Sequence, residues 1–160
     1  MTTSNQPLTK PSPNRGWIWA IMAVALIGIA DTLYLILEAY YGGGVKCFIV
    51  GGCTTVLTSK YAVFYGIPLT WWGLGFYVSV FLAINIFEMY GFVLWLKLLS
   101  LITSIGLLVS LTLLCLQVFV IKALCFYCLT SLASSTALFV LILILKNKVS
   151  SYRSKDNPSV

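Results

Sequence analysis

Residues 92–119 read FVLWLKLLSLITSIGLLVSLTLLCLQVF, an apolar run with one charge, Lys97, near its start. A membrane-spanning helix needs about 20 mostly apolar residues, because the hydrocarbon core is about 30 Å thick and each helical residue rises about 1.5 Å. This run is long enough to cross. Working outward, three more stretches meet the same length: about Trp17 to Tyr40, interrupted by Asp31 and Glu38, then about Pro68 to Phe87, then about Leu124 to Leu145, the last two without charge. Only helices and closed barrels satisfy backbone polar groups in lipid. The expected fold is therefore all-α, a four-transmembrane-helix bundle. Residues 1–16 and 146–160 are expected to be loose tails, 17–145 the single helical domain, and 41–67 an outer loop.

Composition agrees. Of 160 residues, 60% are hydrophobic and 9% charged, with a mean hydropathy of +0.99. Soluble domains average about 25% charged residues, so a soluble enzyme is excluded. The chain has no histidine, which excludes a Ser-His-Asp triad and any histidine-held haem or zinc. The first span is too long for a signal peptide, contains Asp31 and lacks a small-x-small cleavage pattern, so it reads as a retained span. With four spans, Lys10, Arg15, Lys97, Lys146, Lys148, Arg153 and Lys155 share one side, and Lys46, Lys60 and Lys122 the other. The positive-inside rule then puts both termini in the cytoplasm of a multi-pass plasma (inner) membrane protein. On that reading the net charge of +6 is a topology signal, and no nucleic-acid partner is expected.

The cysteines carry the chemistry. Cys47 and Cys53 fall in the outer loop, and Cys125 and Cys128 open the fourth span on the same face. Cys125-Phe126-Tyr127-Cys128 is a CxxC at a helix start, where i and i+3 side chains share a face and can close a disulfide. Free N–H groups and the helix dipole favour a thiolate there, the reactive form in thiol–disulfide exchange. The loop pair has two readings, a static staple of an exposed loop or a mobile shuttle. Gly42-Gly43-Gly44 and Gly51-Gly52 around it favour movement. Beyond Cys53, Val56, Leu57, Tyr61, Val63 and Phe64 predict the apolar side of a short helix lying flat on the membrane and capping the bundle. Below that cap, Trp71, Trp72, Phe76 and Tyr77 serve as interfacial anchors or as walls for a flat, apolar ring compound.

Cys47-x5-Cys53, Val56-Leu57-Thr58-Ser59, Gly66-Ile67-Pro68-Leu69, Gly73 and Cys125-x2-Cys128 together resemble the vitamin K epoxide reductase family, its bacterial branch most closely. The resemblance spans roughly Trp17 to Leu145. It implies a four-helix bundle around a quinone of ubiquinone or menaquinone type, with four cysteines relaying electrons from a thioredoxin-fold partner. Carried over, Cys128 is the quinone-side cysteine, Cys125 its partner facing the loop, and Cys47 and Cys53 the shuttle pair. Ser59 matches the family's loop serine near the quinone, with Leu57, Trp71, Trp72 and Leu132 as further pocket positions. Many bacterial members carry a fused thioredoxin-like domain; its absence here implies a separate, DsbA-like extracytoplasmic partner. Animal members place a tyrosine where Leu132 stands and an asparagine where Leu69 stands, which favours ordinary quinone reduction over epoxide chemistry. The implied activity is a quinone-dependent thiol oxidoreductase supporting disulfide formation, in which the thiols carry the protons.

A few residues stay outside that scheme. Asp31 is an intramembrane carboxyl and so a functional candidate. Cys115 reads as a small hydrophobe, and Thr130, Ser131, Ser134 and Ser135 as close helix-packing positions. Gln117 is a candidate hydrogen-bond partner for a ligand. The rival classes are a four-span structural protein with static disulfides, which wants a large loop between spans three and four, and a four-thiolate metal site. No resident metal is expected. DsbB-type oxidases share the chemistry but carry their CxxC in the first outer loop.

Overall fold

The computed structural model describes residues 15–41, 53–90 and 93–156. Cys47, Lys46, Gly42, Gly43, Gly44, Gly51 and Gly52 of the outer loop lie outside the described residues. Four long helices are long and apolar enough to cross a membrane: α1 (Arg15–Tyr41), α3 (Leu69–Tyr90), α4 (Val93–Cys115, prolonged by a π-helical segment Leu116–Ile121) and α5 (Phe126–Asp156). The main packing pairs are α1–α3, α3–α4, α4–α5 and α5–α1, an up-and-down ring. The bundle class is the one that hydropathy predicts.

Each helix buries one stripe. On α1 the buried positions are Ile18, Ile21, Ala25, Gly28, Thr32 and Leu35, three or four apart, the spacing of one helical face. Ile18, Ile21 and Ala25 of this stripe share one core with Tyr77, Val80, Ile84 and Phe87 of α3, Leu96 and Leu99 of α4, and Leu138, Ile142, Leu145 and Val149 of α5. The remaining faces expose leucine, isoleucine and valine, as suits helices whose outer solvent is hydrocarbon. Small residues set the spacing. A Cβ on Gly28 would overlap the Tyr77 ring, and one on Gly106 would overlap the Phe76 ring. The α1 start and the late part of α5 lie together, with Lys148 Nζ 5.0 Å from the centre of the Trp17 ring.

The cap differs from the expected single flat helix. α2 spans only Cys53–Leu57. It stops because Ser59 turns both its hydroxyl (2.7 Å) and its N–H (3.3 Å) onto the Val56 carbonyl. A 3-10 turn, Lys60–Ala62, follows. Val63 and Phe64, expected on that helix, instead form strand β1, paired antiparallel with β2 (Ile67–Pro68). Tyr65 and Gly66 between them both have positive φ, 51° and 78°. Two such residues make the tight turn that matches strand twist, and a helix cannot pass through them. Pro68 then immediately precedes α3, where a missing N–H breaks no helical bond.

α5 also runs past its expected end at Leu145, to Asp156. No glycine or proline interrupts the chain before Pro158, so nothing in the sequence stops the helix at 146. The segment expected to be a loose tail from 146 is therefore mostly helical.

Candidate active site

The approach to the CxxC is set by a break in α4. After Cys115 the helix widens into the π-helical segment, a feature that recurs at functional sites. Lys122 ends it in the left-handed region (φ 54°). The N–H groups of Lys122 and Ala123 both donate to the Gln117 carbonyl, the second at 3.2 Å. The Gln117 side chain, buried, accepts the Cys125 N–H at Oε1 (3.0 Å). Gln117 and Cys128 both line the same cavity. One amide thus satisfies a buried donor at the start of α5 and fixes where the CxxC begins. It is both a backbone tie and part of the cavity wall, whereas the sequence suggested only a ligand contact.

The two cysteines of the motif touch, but only the second reaches the cavity. Cys125 is fully buried, in a small cluster with Cys53 and Val56, flanked by Ile121, Ala123 and Phe126. Cys128, one helical turn on, faces a cavity that Cys125 does not line. Cys53 is disulfide-bonded, while Cys115, Cys125 and Cys128 are free thiols. Hydrogen bonding from the Cys128 thiol lowers the Cys125 pKa below the ordinary thiol range, burial opposes this, and the N–H groups of Cys128 and Tyr127 add to the lowering. Cys115 is exposed on the outer face of α4, away from this cluster.

The cavity measures about 720 Å³ and lies under the cap, in the half of the bundle away from the buried core. All four long helices and the cap contribute to its wall, which is mainly apolar. Leu57, Ser59 and Trp72 line it, as do Phe76 and Tyr77. Trp71 does not; it is exposed on the outside of α3. Leu132 also stands off the wall, one residue past Ser131, which does line it. The Ser59 hydroxyl is engaged in closing α2, as above.

Two wall residues that the sequence offers only as candidates, Tyr77 and Asp31, take definite places. Tyr77 bridges α3 to α5 through its hydroxyl, 3.0 Å from the Ser131 carbonyl and 2.9 Å from its Oγ. Asp31 lines the cavity too, and its Oδ2 is buried with no hydrogen-bond partner among the described residues. The charge in an apolar span was the signal for Asp31; for Tyr77 only its place among aromatics was available.

The geometry is a thiol pair, Cys125 buried and Cys128 half-buried, joining a disulfide-bearing cap to an apolar cavity, which suits passage of electrons between a cap thiol and an apolar acceptor. Comparison with curated proteins returns no match. Residues 19–143 match the model of the Vitamin K epoxide reductase family, and the chain belongs to that family.

Proposed function

We propose that the protein is a membrane thiol oxidoreductase that reoxidises a separate thioredoxin-fold, DsbA-like partner and passes the electrons to a quinone. The observation that carries this reading is the position of the CxxC between cap and cavity: Cys125 is clustered with Cys53, and Cys128, packed against that cluster, also reaches the cavity wall. The cavity fits the acceptor. Its volume of about 720 Å³ falls in the range of about 300–1,000 Å³ typical of small-molecule sites. Trp72, Phe76 and Tyr77 offer flat faces, and the polar groups on the wall are few.

A partner thiolate attacks the loop disulfide and is released oxidised, leaving the two loop thiols reduced. The Cys53 thiolate attacks Cys125 of an oxidised CxxC, forming a Cys53–Cys125 disulfide and freeing Cys128 at the cavity. The second loop thiol, Cys47, then displaces Cys125 from Cys53. The loop is oxidised again and the CxxC is reduced, the redox state seen at Cys53, Cys125 and Cys128. A bound quinone takes up the electron pair as Cys125 and Cys128 close to a disulfide. The low Cys125 pKa suits its displacement from Cys53, because a thiol of lower pKa leaves faster. The active cysteines then lie on the outer membrane face, with both termini cytoplasmic.

The test is turnover of purified protein with a reduced DsbA-type protein and a short-chain quinone. One quinol per partner disulfide is expected, and Cys125→Ala or Cys128→Ala is expected to abolish it. Wild-type rates in both variants would overturn the relay.

A further inference from the structure

The electron route leaves a proton unaccounted for. Quinol formation takes two electrons and two protons. A sulfur pair that enters as one thiolate and one thiol, and closes to a disulfide, delivers two electrons and one proton. The hydrogen bond from the Cys128 thiol to Cys125 favours that singly protonated form. A second proton has to reach the cavity from a group that is not sulfur.

The cavity wall holds two carboxyls, Asp31 and Glu38, both on α1 and seven residues apart. Seven residues are two helical turns, about 10 Å along the axis, so both share one face. Glu38 is the one nearer the cap and outer water. The other titratable groups on the wall are Tyr61 of the cap, Tyr77 of α3, and Tyr127 and Cys128 of α5. No Lys or Arg lines the cavity among the described residues. Asp31 Oδ2 is buried and no described cation faces it from the wall, surroundings that favour the protonated acid over the carboxylate. Its Oδ2 has no partner to hold it among the described residues.

We propose that Asp31 is the proton donor to the quinone: its carboxyl gives the second proton as the Cys125–Cys128 disulfide forms, and regains one from the outer aqueous face past Glu38. The inference rests on the quinone-reduction reading above. The step balances as Cys125–S⁻, Cys128–SH, quinone and Asp31–COOH giving the disulfide, quinol and Asp31–COO⁻. Two electrons leave sulfur, one proton leaves Cys128, and one leaves Asp31.

The experiment uses full-length protein in lipid nanodiscs, reduced with dithiothreitol and freed of it, then mixed with a short-chain benzoquinone or naphthoquinone. Single-turnover quinol formation is followed against pH in wild type, Asp31→Asn and Asp31→Glu. General acid catalysis contributes about 10²–10⁴-fold, so Asp31→Asn is expected to slow quinol formation by about 100-fold or more. Its rate is also expected to fall more steeply with rising pH, since the proton must then come from solution. Asp31→Glu is expected to recover part of the rate. A second readout is independent of turnover. Infrared difference spectra of wild type with and without quinone are expected to show a protonated-carboxyl C=O band that shifts on binding and is missing from Asp31→Asn. Reduction of the Cys125–Cys128 disulfide by dithiothreitol is expected to be unchanged in Asp31→Asn, which verifies the fold and the thiol chemistry. Quinol formation at the wild-type rate and pH profile in Asp31→Asn would overturn the proposal and leave the quinone reading intact. Wild type that reduces neither quinone would overturn both.

Discussion

At the scale of single residues, the sulfur chemistry rests on what surrounds Cys125. Its lowered pKa depends first on the Cys128 thiol and then on the N–H groups at the start of α5. The thiolate is therefore expected to form below the ordinary thiol pKa of about 8.5. Titrating thiolate absorbance against a Cys125→Ala reference checks this. In Cys128→Ala the midpoint is expected to rise, because the largest stabilising bond is gone, and in Cys128→Ser to stay low, because a donor remains. Gln117→Leu tests the tie at the helix start. It strands the buried Cys125 N–H, a loss worth about 1–3 kcal/mol, and is expected to lower the melting temperature. The four cysteines were legible in the sequence because redox chemistry is written in the residue type and its spacing. The bond from Cys125 to Gln117 was not, because it closes across eight residues through a π-helical segment and a left-handed Lys122, neither of which periodicity reveals.

At the scale of elements, lipid makes span length readable and leaves the connections ambiguous. An apolar run of about 20 residues has few alternatives in a membrane, and all four spans appear near their expected positions. Val63 and Phe64 suit a surface helix and a strand equally, so the turn at Tyr65-Gly66 decides, and its positive φ angles are a conformational fact that composition only hints at. The far end of α5 is not readable from composition, because polar residues suit a tail and a helix equally and no glycine or proline in 146–156 breaks the helix. Close approach between helices is the other hidden term. Gly28 gives up its side chain to the Tyr77 ring, and Tyr77 ties α3 to Ser131 on α5. Gly28→Ala is expected to cost about 1–3 kcal/mol through overpacking, read as a lower melting temperature. It is also expected to weaken quinone binding, because the displaced ring forms part of the cavity wall.

At the scale of the whole molecule, the ring of helices divides into a packed half and an open half. The packed half holds the buried aliphatic core near the α1 start and the late part of α5; the open half holds the cavity, the CxxC and the cap. The exposed apolar surface is what a bilayer would cover. The lysine and arginine distribution predicts that the cap faces out. A cysteine placed at Tyr65, in the exposed hairpin turn, is expected to react with a membrane-impermeant thiol reagent added outside intact cells, and one placed at Ser151 only after the membrane is opened. The reverse pattern would invert the topology. The relay itself is tested most directly by trapping its middle step. In a Cys47→Ala, Cys128→Ala double variant, Cys53 and Cys125 have lost the partners that resolve their mixed disulfide. Peptide mass spectrometry of this protein from oxidising membranes is expected to show Cys53 linked to Cys125. Both sulfurs recovered free, or Cys53 linked to Cys115 instead, would contradict electron passage from the cap through Cys125 to the cavity.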